Sequence, residues 1–159
     1  MTDRGADDLT YDPQQRLRTY TTPGVDDTYT YTTTNQRLIR EHGTTITLYL
    51  AGMEATWDGT TTTITRYPTI SGTTIATHTK VIGGSTSVAW NCGNMQNSTT
   101  CQAPAATSTN PPIPARKRYT PYGGDRNTTP VTFPNTDHGF LGQPEDTTGL
   151  TYLNNRYYD

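Results

Sequence analysis

The sequence predicts an all-β protein, an antiparallel meander of short hairpins with little or no helix. Three observations carry this. Short runs alternate polar and apolar side chains and are interrupted by Gly, Pro, Asn or Asp, as hairpins require. Threonine makes up close to a quarter of the 159 residues and tyrosine adds 11, and both suit a pleated, half-buried surface. Hydrophobic residues reach only 30%, yet charged residues are 16% and the net charge is −2, which is not the charge-rich composition of a disordered chain. The polarity therefore reads as sheet with one wet face.

The first clear strand is Thr28-Tyr29-Thr30-Tyr31-Thr32, with tyrosines on one face and threonines on the other. After a turn at Thr34-Asn35-Gln36, Arg37-Leu38-Ile39-Arg40 returns. Thr44 to Leu50 alternates again, with Ile46 and Leu48 opposite Thr45, Thr47 and Tyr49. Gly52 to Trp57, a turn at Asp58-Gly59, and Thr60 to Tyr67 form a hairpin whose Asp-Gly turn accepts positive φ at low cost. Thr73 to Lys80 and Ser85 to Trp90 continue the pattern. Gln102 to Ala115 holds four prolines, which remove backbone donors, so this segment is expected to be an exposed loop. Strand character is expected to resume at Lys117-Arg118-Tyr119-Thr120 and to break at Pro121-Tyr122-Gly123-Gly124.

Chemistry-bearing residues are sparse. His42, His78 and His138 lie in different segments without metal-ligand spacing and read as surface or sheet-face histidines. Ser71 and Ser85 sit near glycines but outside any Gly-x-Ser-x-Gly elbow. Asp137, Glu145 and Asp146 form the densest acidic group, and the neighbouring Pro144 and glycines make turn capping the favoured reading over acid/base or calcium chemistry. No catalytic residue, cofactor or metal ligand is assigned. Cys92 and Cys101, nine positions apart in a turn-rich stretch, are candidates for a disulfide in an oxidising compartment, and two free thiols remain the alternative.

Tyr29, Tyr31, Tyr49, Trp57, Tyr67 and Trp90 either pack inward as rungs or line a carbohydrate platform. Packing is favoured, because the strands that carry them have few other apolar residues. The near-neutral charge offers no field for nucleic acid, and Arg116-Lys117-Arg118 reads as an exposed strand end. No apolar run is long enough to span a membrane, and the polar start Met1 to Asp8 has no signal-peptide character.

An internal repeat is visible. Tyr11-Asp12-Pro13-Gln14-Gln15-Arg16-Leu17 and Tyr31-Thr32-Thr33-Thr34-Asn35-Gln36-Arg37-Leu38 recur about twenty residues apart, each as Tyr, turn, Arg-Leu. This resembles the YD repeat, although Gln15 stands where that repeat has Gly and Thr32 where it has Asp. Later segments resemble the Rhs repeat-associated core in that family's order: Tyr49-Leu50-Ala51-Gly52-Met53-Glu54, Arg66-Tyr67 with Ser71 to Ala76, Arg118-Tyr119-Thr120-Pro121-Tyr122-Gly123, and Gly139 to Leu153 ending in Arg156-Tyr157-Tyr158-Asp159. The chain departs from the family between Trp90 and Thr99, and Asn155 replaces the usual Ala.

The resemblance implies a division into YD-like strands over 1–40 and a core-like β region over 41–159, with the exposed loop at about 102–115. It implies structural roles for Tyr11, Arg16, Tyr31, Arg37, Arg118, Tyr119, Pro121, Gly123, Gly139, Gly142, Asp146, Gly149, Arg156, Tyr158 and Asp159. Proteins of this kind are spiral β-shells, secreted or at the bacterial cell surface, that enclose or present a C-terminal toxin. The expected partners are therefore the rest of a shell and its effector, with surface glycans as the alternative. The aspartates implied for self-cleavage would lie beyond Asp159, so this stretch is expected to be non-enzymatic. A piece cut from such a shell is expected to show an uncovered sheet edge and a wide, poorly packed concave face.

Overall fold

A computed structural model of the chain describes residues 3–105, 114–154 and 156–158. The strands are β1 (Asp3–Arg4), β2 (Asp7–Tyr11), β3 (Leu17–Thr22), β4 (Val25–Tyr31), β5 (Arg37–His42), β6 (Thr45–Leu50), β7 (Met53–Trp57) and β8 (Thr62–Arg66). They continue as β9 (Thr69–Ile70), β10 (Thr73–Thr74), β11 (Ala76–Val81), β12 (Thr86–Gly93), β13 (Thr99–Pro104), β14 (Ala115–Arg116), β15 (Thr151–Tyr152) and β16 (Tyr157–Tyr158). Twelve of these form one antiparallel sheet in the order β1 to β8, then β11 to β14. β9 and β10 leave it as a separate hairpin, and β15 pairs with β16. The sheet is a meander and does not close into a barrel. Among the described residues, helix is confined to one 3-10 turn at Phe140–Gly142.

The register sorts the side chains into two faces. On the inner face Leu9, Tyr20, Asp27 and His42 follow one another across β2 to β5, and Tyr29, Arg40, Thr47, Thr56 and Thr63 across β4 to β8. Ile39, Leu48, Ala55 and Ile64 form the corresponding row outside. The inner face is covered by a strap, residues 119–154 and 156–158, that runs back across the sheet from the late strands to the early ones. Tyr119 Oη donates to the carbonyl of Thr99, Asn135 contacts Gln102 and Ser87, His138 meets Glu54, and Asp146 meets Arg37. Leu150 then enters the apolar core of Leu9, Leu17, Tyr20 and Tyr29, with Tyr31 and Tyr157 packed against it. The expected bare concave face is thus corrected: the chain folds roughly its own C-terminal quarter over it.

The two YD-like turns share one geometry. Asp12 N–H donates to the Arg16 carbonyl and Thr32 N–H to that of Gln36, while Gln15 and Asn35 adopt φ of +62° and +65°. Each strand leaving the turn bulges, at Arg18 and at Leu38, and Tyr11 pairs with Leu17 as Tyr31 pairs with Arg37. The period is therefore twenty throughout, and the sequence alignment of Arg16-Leu17 with Arg37-Leu38 needs correction. Arg37 occupies the place of Leu17, not of Arg16. At the inner positions, the apolar pair Leu17 and Tyr20 of one copy becomes Arg37 and Arg40 in the next.

Two expectations about the later strands are also revised. β13 runs through Gln102, Ala103 and Pro104, and Ala115 already belongs to β14, so the expected loop is shorter at both ends. Its centre, 106–113, lies outside the described residues. Pro104 is tolerated because Ala105 N–H supplies the bond to Val88, and the ring of Pro104, opposite Ala89, directs its missing donor away from β12. The strand expected over 117–120 is reduced to a single bridge between Tyr119 and Asp125, because Pro121 and the turn at Gly123 (φ +88°) follow at once.

Candidate functional site

The polar groups of the inner face form two clusters between sheet and strap. In the first, Arg37 Nη1 reaches both oxygens of Asp146 at 2.9 and 2.8 Å, with side chains only 1% and 0% exposed. Arg40 bridges Asp27 at 2.9 Å and Asp146 at 3.5 Å and reaches Thr147. Tyr29 Oη donates to Asp27, and His42 pairs with the other oxygen of Asp27. The Arg37 guanidinium also lies 4.2 Å from the ring centre of Tyr49 and 4.9 Å from that of Tyr152. Its Nε and Nη2 have no hydrogen-bond acceptor among the described residues, and these rings lie against the guanidinium. Burial pushes the Asp146 carboxyl up, against the opposing pull of Arg37 and Arg40.

The second cluster joins β7 to the strap. His138 Nε2 lies 2.6 Å from Glu54 Oε1 and 3.8 Å from Asp137 Oδ1, and its Nδ1 contacts the Gly142 carbonyl at 2.8 Å. Tyr67 Oη donates to the second oxygen of Glu54 at 3.0 Å, and its ring lies 4.3 Å from the imidazole. Burial disfavours charge on His138, but the hydrogen bond and charge of Glu54, aided by Asp137, hold it above its ordinary value. Burial and the charge of Glu54 push Asp137 up to about 6. A cavity of about 330 Å³ opens here, walled by Arg37, Tyr49, Glu54, Tyr67, His138 and Tyr152.

An acid faces a partner thirteen residues later three times along the sheet: Asp7 with Tyr20, Asp27 with Arg40, and Glu54 with Tyr67. Each pair links adjacent or near strands of a hairpin on the inner face. Sequence reading missed these rungs, although a constant separation was there to be found.

Residues singled out from sequence are distributed unevenly. Arg37, Asp146 and Tyr31 come together in the first cluster or beside it, Tyr31 donating to the Leu17 carbonyl at 2.7 Å. Arg16 ties the two YD-like turns, pairing with Asp12 and Asn35 and lying 4.8 Å from the Tyr31 ring centre. Tyr119, Gly123 and Gly139 meet at Phe140 and Glu145: a Cβ at Gly123 would stand 2.8 Å from the Phe140 ring, and one at Gly139 would stand 3.1 Å from Tyr119 Oη. Gly142 and Gly149 hold positive φ in strap turns. Tyr11, Arg118, Pro121, Arg156 and Tyr158 are exposed. Asp159 lies outside the described residues.

Asp146 does close a turn through its backbone, but its carboxylate is a core ion-pair partner, which corrects the capping reading. His138 is likewise no plain surface histidine. Tyr29, Tyr31, Tyr49 and Tyr67 face the strap, whereas Trp57 and Trp90 face outward, 44% and 54% exposed. They stand opposite positions 62 and 76, and 62 itself neighbours 82, so about six residues of strand, roughly 20 Å, separate them along the sheet. Cys92 and Cys101 face each other across β12 and β13 and are joined as a disulfide, with Cα atoms 4.9 Å apart. No described helix is long and apolar enough to cross a membrane.

No protein-family model matches the sequence, and no curated protein matches it. Solved structures do share the fold. A TcdB2-TccC3 crystal structure superposes over 98% of this chain with TM-score 0.74 and 18% identity, and a TcdB2-TccC3-Cdc42 structure over 96% with TM-score 0.75 and 18% identity. A Photorhabdus luminescens Tc holotoxin pore with a mutated TccC3 matches over 99% with TM-score 0.69 and 17% identity. The chain spans only 8–9% of the length of those proteins.

Proposed function

We propose that this chain is a structural segment of an Rhs-type β-shell, from a bacterial polymorphic-toxin or wall-associated surface protein that encloses or presents a C-terminal effector. The observation that carries this reading is the fold match over nearly the whole chain to toxin-complex structures. The packing supports it as well. Arg37, Arg40 and Glu54 of the inner face engage Asp146, Thr147 and His138 of the strap, so the clusters serve as fasteners between sheet and strap, in keeping with a non-enzymatic role. The twelve-stranded sheet has β1 at one end and the two-residue β14 at the other, each a place where further ribbon can pair.

The test is to read the gene on both sides of this stretch and image its complete product. A hollow β-shell with a variable C-terminal segment, protected from protease until the shell is opened, is expected. A complete product that is compact and has no internal chamber would overturn the reading. The alternative, a glycan-binding or adhesive surface, calls for a shared aromatic platform, and the wide separation of Trp57 and Trp90 weighs against one.

A further inference from the structure

Glu54, Asp137 and His138 offer three ligand atoms that all lie within 4.8 Å of one another. Glu54 comes from β7 and the other two from the strap, more than eighty positions later. The Gly142 carbonyl can only accept, so its 2.8 Å contact makes His138 Nδ1 the donor. The neutral ring then turns a bare Nε2 toward Glu54 Oε1 and Asp137 Oδ1. Three lone-pair donors converging in this way are held together by a proton on Nε2 or by a metal cation that takes its place. A backbone carbonyl that holds Nδ1–H and frees Nε2 is also the support that metal-ligating imidazoles commonly receive. Glu54 is oriented similarly, since Tyr67 occupies Oε2 and leaves Oε1 directed at the cluster.

We propose that Glu54, Asp137 and His138 form a site for a divalent transition-metal ion, with Zn²⁺ the best fit, that staples the strap to the sheet. One imidazole and two carboxylates suit Zn²⁺, whereas Ca²⁺ and Mg²⁺ favour oxygen ligands alone. Bonds of about 2.0–2.2 Å set tetrahedral ligand atoms about 3.3 Å apart. The 2.6 Å contact of Glu54 with His138 therefore opens by roughly 0.7 Å, and the 3.8 Å contact of Asp137 with His138 closes by roughly 0.5 Å. Glu54 and His138 line one cavity and Asp137 a second of about 310 Å³, so water has room to complete the coordination. This site does not depend on the shell reading, and its test reads metal binding alone.

Zn²⁺ is titrated into the chelator-treated 159-residue chain at about pH 7.5, followed by calorimetry and thermal unfolding, with Co²⁺ absorption as a report on coordination. One ion per chain, a raised unfolding midpoint reversed by chelator, and low-coordinate Co²⁺ bands are expected. His138→Gln should lose affinity about 100-fold and Asp137→Asn at least about tenfold, while His78→Gln, on the outer face, should match the parent. No saturable binding, or equal binding by the parent and His138→Gln, overturns the proposal. Should His138→Gln fail to fold, Asp137→Asn decides, because it leaves the Glu54–His138 contact intact: unchanged affinity there also overturns it.

Discussion

Arg37 and Asp146, 109 residues apart, form a buried ion pair at the position that Leu17 fills with an apolar side chain one repeat earlier. Removing one partner strands the other charge out of water. Asp146→Asn should therefore destabilise the fold by about 3–5 kcal/mol, whereas the double variant Arg37→Leu with Asp146→Leu should cost much less than either single change. Denaturant unfolding of the four species checks this, and additive single costs would contradict it.

The second cluster makes stability depend on pH. His138 is held above its ordinary value, so its contribution is fully present below the unfolded pKa of about 6.5 and is lost as pH rises through the higher folded value. Asp137, raised to about 6, acts in the same sense, and its contribution is lost as pH rises from about 4 through that value. With chelator present, the thermal midpoint should fall between about pH 5 and pH 8, and His138→Gln should flatten the profile.

Gly123 combines φ of +88° with a Phe140 ring where a Cβ would stand. Gly123→Ala should cost about 1–3 kcal/mol through both the clash and the left-handed backbone. Gly59→Ala, at φ +98° with open space around it, carries only the backbone penalty and should cost less. Equal losses would mean that the Phe140 contact contributes nothing.

Gln15 is exposed and holds φ of +62° in the first YD-like turn. Gln15→Gly relieves a left-handed strain of about 1–2 kcal/mol against a glycine entropy cost of about 0.5–1 kcal/mol. A small gain in stability is expected from chemical unfolding, and a loss would show that the Gln15 side chain supports the turn.

The Cys92–Cys101 bond closes a short loop between β12 and β13. Replacing both residues by serine should lower stability by about 2–3 kcal/mol on chain-entropy grounds. Thiol titration of the unreduced, unfolded protein should find no free cysteine. Two reactive thiols would contradict the bond.

The strands and turns were largely legible because their signals are local. Alternation in Thr45–Leu50 puts Tyr49 and Leu48 on opposite faces whatever else the chain does, and Asp58-Gly59 makes a turn through its own backbone preferences. The twenty-residue period was visible, but its register was misread by one residue because Arg-Leu recurs nearby as a word. Only the bulge opposite Tyr31 shows that Arg37, and not Arg16, takes the inward place.

By itself, then, the sequence determined an all-β meander, its turn positions and a repeated unit, since each depends on neighbours within one hairpin. Tertiary structure alone decided that residues 119–154 and 156–158 fold back over the sheet, and that Arg37 finds Asp146 and Glu54 finds His138. Partners separated by 84 to 109 positions leave no spacing in the chain to read. Whether a charged side chain is solvated or becomes a fastener depends on which surface the strap removes from water, and no local pattern encodes that.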